Sequence, residues 1–232
     1  MIKREIQNSI LADFKRKKVI VLLGARQVGK TTLLLSLQSD KERVLSLNCD
    51  NIDDRLLLEA RTSTELKYLL SSYDMAFIDE AQRVKNIGLT LKMIGDLKLD
   101  TQIVVTGSSS FDMANEINEP ATGRLIEYNL YPFSLAELAA DTSEREEKRL
   151  LENRLIYGLY PEVVTEPADA KRTLMSLTNN YLYKDLFSYK GLKKPDVIQK
   201  LVRALALQLG SEVSYNELSN LLGIDKETVE NY

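Results

Sequence analysis

Lys18-Val-Ile-Val-Leu-Leu-Gly24-Ala-Arg-Gln-Val-Gly29-Lys30-Thr31-Thr32-Leu-Leu-Leu-Ser-Leu37 decides the fold of this 232-residue chain. An almost wholly apolar run reads as a buried strand, and the apolar residues after Thr32 read as the start of a helix. Between them lies G-x-x-x-x-G-K-[ST], the phosphate-cradling loop, placed where its mechanism requires it. Gly24 and Gly29 permit backbone angles that turn the N–H groups of Ala25, Arg26, Gln27 and Val28 inward. Lys30 reaches the β- and γ-phosphates, the Thr31 hydroxyl ligates Mg²⁺, and the helix opening near Thr32 adds its positive end.

Outward from this loop, short apolar segments alternate with helical patterns. Ile2, Ile6, Ile10 and Phe14 recur every four residues, as in an amphipathic helix ahead of the first strand. Arg43–Asn48, Met75–Asp79, Gln102–Thr106 and Leu125–Leu130 read as further strands, and one helical stretch runs from about Asp53 to Ser71. The alternation predicts an α/β fold, a parallel sheet covered by helices on both faces.

Met75-Ala-Phe-Ile-Asp79-Glu80 is an apolar strand ending in two adjacent carboxylates. At the C-terminal edge of a parallel sheet, Asp79 is placed to hold Mg²⁺ beside Thr31. Glu80 then faces the γ-phosphate and orients or deprotonates the attacking water. The fourth strand ends Thr106-Gly-Ser108-Ser-Ser110, where Ser108 either contacts the γ-phosphate or belongs to a plain Gly/Ser loop. Arg124, before the fifth strand, either neutralises phosphate charge in its own or a neighbouring site, or makes a surface ion pair.

Composition narrows the chemistry. There is no histidine, which removes His-based triads, His-zinc sites and imidazole bases together. A 44% hydrophobic and 28% charged content describes a globular chain with material for a core, and no apolar run approaches a membrane span. The single cysteine, Cys49, excludes an internal disulfide and suits a reducing cytoplasm; it reads as a small buried residue at a strand end. A net charge of −3 provides no global attraction to nucleic acid. Asn-Lys-x-Asp occurs nowhere, so ATP is favoured over GTP.

The charged stretch Asp141–Arg149 marks a composition change, and beyond it the pattern is helical. Gly191–Pro195 is a second break, followed by Val197, Leu201, Leu205 and Leu209 one helical turn apart. The expected division is 1–140 for the nucleotide-binding core, 141–192 for a helical lid and 193–232 for a last helical module.

With these motifs in order, the chain resembles the AAA+ ATPases of the AAA domain 14 type, normally followed by domain of unknown function 4143. GARQVGKTTLL, FIDEAQ, VVTGSSS, TGRLIEYNLYPFS, GLYPEVV and NNYLYKDL carry the resemblance. It implies a three-layer P-loop NTPase core with a five-stranded sheet, a helical lid and the beginning of a winged helix. It also implies kinship with signalling-type AAA+ switches, whose lid carries a Gly-x-Pro element touching adenine. Gly158-Leu-Tyr160-Pro161 matches that element with one extra residue, which makes Tyr160 and Pro161 either adenine contacts or a turn between helices. Ser214–Val229 fits the helix-turn-helix, with Ser214 and Asp225 as caps and Gly223 as the turn. The resemblance anticipates a wing and a further module beyond Tyr232, so the chain reads as a C-terminally truncated fragment.

Two functions follow from different classes. One is ATP hydrolysis with Mg²⁺; the other is a slow switch in which ATP or ADP changes the surface offered to a protein partner. DNA is the weaker partner, because Asp225-Lys-Glu-Thr-Val-Glu-Asn-Tyr232 holds three acids and one lysine where phosphate contact calls for cations. No motif sets the assembly: a monomer suits the switch, and a homo-oligomer suits an arginine acting in a neighbour's site.

Overall fold

The computed structural model describes residues 1–38, 42–108, 123–182 and 195–231. The chain divides into two compact units, Met1–Ala170 and Lys171–Tyr232.

The first unit opens with helix α1 (Ile6–Asp13), which runs through a 3₁₀ turn into strand β1 (Val19–Gly24). Helix α2 (Lys30–Leu37), strand β2 (Val44–Asn48), helices α3 (Ile52–Leu56) and α4 (Ser63–Leu70) and strand β3 (Met75–Asp79) follow. Helix α5 (Ile87–Asp96), strand β4 (Gln102–Gly107) and strand β5 (Leu125–Leu130) complete the sheet region. The five strands are all parallel, in the order β2-β3-β4-β1-β5. This is the α/β architecture that the alternation predicts.

The strands differ as their positions demand. β1 and β4, inside the sheet, are buried at all six positions each. β1 reads as an unbroken apolar run, while β4 is apolar over Ile103–Val105 and buries Gln102 and Thr106 with their hydrogen bonds made. The edge strands β2 and β5 are only partly covered. Successive side chains of a strand point to opposite faces, and β1 supplies both halves of the core on that rule. Val19, Val21 and Leu23 join Ala76, Ile78, Leu66, Leu70, Leu91 and Ile94 on one face. Ile20 and Leu22 join Ile10, Leu33, Leu34, Leu37 and Phe77 on the other.

The single helix expected over 53–71 is two helices. Ala60 adopts φ 51°, and Thr62 then starts α4 as its N-cap, in a capping box with Glu65. Cys49 is fully buried just beyond β2, as expected.

Past β5 the first unit is helical, with Leu135–Asp141, Glu144–Arg149, Leu151–Tyr157 and Pro161–Thr165. The second unit holds helices Pro195–Leu207, Tyr215–Leu222 and Lys226–Asn231, closed around Leu201, Ala204, Leu218 and Val229. Ser214 accepts from the Glu217 N–H, Gly223 ends its helix at φ 66°, and Asp225 accepts from the Thr228 N–H at 2.7 Å. Leu209 falls beyond the helix that its spacing suggested, because the chain turns from Gln208 to Ser211. The break at 191–194, together with Ser109, Ser110 and Thr122, lies outside the described residues.

Candidate functional site

Three parallel strands bring their C-terminal ends together here. β1 ends at Gly24, where an added Cβ would stand 2.5 Å from the Leu130 carbonyl oxygen and 3.0 Å from Val28 Cγ1. Only glycine lets the loop leave the sheet so close to β5. The loop turns through Gln27 at φ 60° and Gly29 at φ 97°, and α2 starts at Lys30. Val28 fastens the loop from beneath as a fully buried core residue, while Ala25 and Arg26 are half-buried and Gln27 is exposed.

Lys30 is 5% exposed, and its Nζ donates to the carbonyls of Gly24 at 2.9 Å and Ala25 at 3.1 Å. Thr31, next in the helix, is exposed, and its Oγ1 donates to Asp79 Oδ2 at 2.8 Å. Asp79 Oδ1 accepts from Thr106 Oγ1 of β4, the strand lying between β1 and β3, and from the Glu80 N–H at 3.1 Å. The Glu80 N–H also reaches Thr106 Oγ1 at 3.2 Å. Glu80 itself sits at φ 53°, left-handed for a residue with a side chain, so the chain turns sharply at the second carboxylate.

The donor set suits Mg²⁺: a threonine hydroxyl beside one carboxylate, hard oxygens at the mouth of a phosphate loop. Among the described residues no group of three acidic or cysteine side chains gathers to cage a metal by itself.

Beside the loop opens a cavity of about 270 Å³, lined by Ile2, Arg4, Gly29, Thr32, Phe133 and Pro161 among others. Pro161 Cγ lies 3.8 Å from where a Gly29 Cβ would project. The Tyr160–Pro161 step therefore comes back against the loop, with Pro161 on the cavity wall. Tyr160 precedes it as the N-cap of helix Pro161–Thr165, and burial raises its hydroxyl pKa.

Arg4 escaped the sequence reading. Its side chain is nearly buried over the Phe133 ring, 4.7 Å from the centroid. Nη1 donates to the Val28 carbonyl inside the loop at 3.1 Å, Nη2 to the carbonyls of Tyr131 and Pro132, and Nε to Glu137 at 3.0 Å. Glu137 also closes a capping box with Ser134. That Ser-x-x-Glu spacing was the one signal in the sequence that Glu137 has a structural task.

Gln82 was missed as well. It donates from Nε2 to Glu80 Oε2 at 2.5 Å and accepts the Ser108 N–H at 3.3 Å. Ser108 is buried just past β4.

Arg124 is the correction. Its carbonyl accepts the Val19 N–H and its guanidinium pairs with Asp96. β5 runs parallel to β1 with Leu125 level with Val19, so Arg124 stands at the N-terminal edge of the sheet. The phosphate loop leaves the opposite edge, five residue steps or roughly 16 Å away. Arg124 is therefore not part of its own chain's loop site.

Comparison with known proteins agrees with this architecture. A solved structure, the Walker-type ATPase PABY2304 of Pyrococcus abyssi, superposes with a TM-score of 0.59 at 14% identity, over 100% of this chain and 89% of that one. An uncharacterized protein of Haemophilus influenzae is 27% identical over 251 residues, and the uncharacterized protein MJ1637 of Methanocaldococcus jannaschii is 25% identical over 275. Both alignments take in the whole of this chain but 62% and 57% of the relatives, so the chain spans roughly three-fifths of their length. Residues 148–232 match a domain of unknown function, DUF8612, where the resemblance had anticipated domain 4143. Residues 16–139, more than half of the chain, match the AAA domain AAA_14, and the chain belongs to that family of AAA-type P-loop proteins.

Proposed function

We propose that the chain binds ATP with Mg²⁺ where β1 passes into α2, and hydrolyses it. The observation that carries this reading is the 2.8 Å pairing of Thr31 Oγ1 with Asp79 Oδ2, which joins the loop to the end of β3. The loop N–H groups and the Lys30 ammonium hold the β- and γ-phosphates, and Thr31 and Asp79 hold the metal. When bound, Mg²⁺ neutralises charge on the phosphate oxygens. Glu80 orients the attacking water and takes its proton as an O–P bond forms. The bond from the γ-phosphorus to the ADP oxygen breaks, releasing ADP and inorganic phosphate. Ser108 stands at the end of β4 as the γ-phosphate contact. Thr32, Pro161 and Tyr160 belong to the adenine side, where the adjoining cavity has room for a purine.

Two variants test this. Lys30→Ala should abolish binding of a fluorescent ATP analogue while the fold survives. Glu80→Gln should bind ATP normally and turn over at least ~10²-fold slower, the usual size of a lost general base. Parental turnover in Glu80→Gln would remove Glu80 from the mechanism.

A second reading, the slow nucleotide-gated switch, is favoured by Arg4. This residue couples the loop carbonyl of Val28 to the chain that runs on from β5. A switch would retain ADP and be stabilised by it, by about 2.7 kcal/mol at a hundredfold excess over the dissociation constant. The helices beyond Ser214 would then present a protein-facing surface. The lysine of helix Lys226–Asn231 pairs with Glu230 at 3.7 Å, so this helix offers little cationic surface to DNA phosphates.

A further inference from the structure

Gln82 occupies the 3₁₀ turn Ala81–Arg83 that follows Glu80. Its amide makes two contacts of opposite sense, to a carboxylate oxygen at 2.5 Å and from a backbone N–H at 3.3 Å. The Glu80 carboxylate can only accept and the Ser108 N–H can only donate, so one orientation of the amide satisfies both. Glutamate at this position could accept from Ser108 but would set a second negative charge against Glu80. Leucine could do neither. The turn is pinned on both sides, because Arg83 N–H donates to the Glu80 carbonyl at 3.0 Å and Arg83 Nε donates to Asp50 Oδ1 at 3.0 Å. The Glu80 main chain is fixed independently by Asp79 and Thr106, and the short Gln82 contact restrains its side chain.

We infer that Gln82 is a positioning residue, which sets the direction of the Glu80 carboxylate and ties it to the backbone at the end of β4. The inference rests on the reading of Glu80 as the water-orienting group. On that reading the amide makes one unit of the two places that must sense the γ-phosphate, the Glu80 carboxylate and the Ser108 strand end. A shift of Ser108 pulls on Gln82 and so redirects Glu80. Hydrolysis then depends on how β4 ends, although Gln82 itself touches no phosphate.

The test is steady-state ATP hydrolysis by the full chain and by Gln82→Leu, Gln82→Glu, Glu80→Gln and the Glu80→Gln/Gln82→Leu pair. Affinity for a fluorescent ATP analogue and Tm are measured on each. Misplacement of a reacting group costs up to about 100-fold, so both Gln82 variants should lose roughly 10- to 100-fold in kcat with KM, analogue affinity and Tm unchanged. The Gln82→Leu effect should vanish in the Glu80→Gln background, because the amide then has no carboxylate to aim. Parental kcat in Gln82→Leu beside a collapsed Glu80→Gln overturns this inference and leaves the role of Glu80 standing. An equal loss in both backgrounds, or a loss that tracks Tm, also overturns it. Parental turnover in Glu80→Gln overturns both.

Discussion

Arg4 and Glu137, 133 positions apart, form an ion pair at 3.0 Å with both side chains more than 90% buried. The pair joins the segment before α1 to the helix after β5, and the same guanidinium reaches into the phosphate loop at Val28.

Removing one partner leaves an uncompensated buried charge. Arg4→Met should therefore destabilise the first unit by about 3–5 kcal/mol in urea unfolding, and Arg4→Met/Glu137→Met by clearly less. Nucleotide affinity should fall in Arg4→Met, because the Val28 carbonyl loses its donor. Unchanged stability and affinity would assign this cluster no part in shaping the loop.

Gly24→Ala should destabilise by about 1–3 kcal/mol, as overpacking does. The added methyl would meet the Leu130 carbonyl at 2.5 Å, and a backbone atom cannot rotate aside. Nucleotide binding should drop with it, because the strain falls at the first residue of the loop. Urea unfolding and analogue binding on the purified variant decide both points.

Burial first, then the nearby Asp54 and Asp79 charges, pushes the Cys49 thiol up to about 12. A group whose pKa rises on folding contributes stability that is complete below its unfolded value, near 8.5 for a thiol. That contribution is lost as pH climbs toward 12. The native chain should therefore resist aromatic disulfide reagents at pH 8 and react once unfolded. The stability gap between the parent and Cys49→Ala should narrow from pH 9 to 11. Rapid labelling of the native thiol at pH 8 would contradict the burial.

The sequence displayed β1 and its loop clearly, because a strand covered on both faces is mainly apolar, and Val19–Leu23 is apolar throughout. The Thr31–Asp79 meeting was also legible, since two parallel strands end on one edge. The same rule would have placed Arg124 correctly: a residue before a parallel strand lies at the edge opposite to one that follows a strand. Arg4 was hidden because a charge in an amphipathic stretch reads as a solvated face, and all of its hydrogen-bond partners but Val28 lie more than 120 positions away. The α3–α4 break was overlooked although Thr62-Ser-Thr-Glu65 spells a helix start. Gln82 carried no pattern of its own; its task comes from the left-handed bend at Glu80, which periodicity does not reveal.

The level pairing of Gly24 with Leu130 has a mechanical consequence. β1 is gripped by a neighbour on each flank and by side chains above and below, so it behaves as a fixed rail. β5 is laced to that rail alone and finishes where the nucleotide loop departs. Tension drawn along the polypeptide after Leu130 is therefore delivered at the root of the loop, with no intervening joint to absorb it.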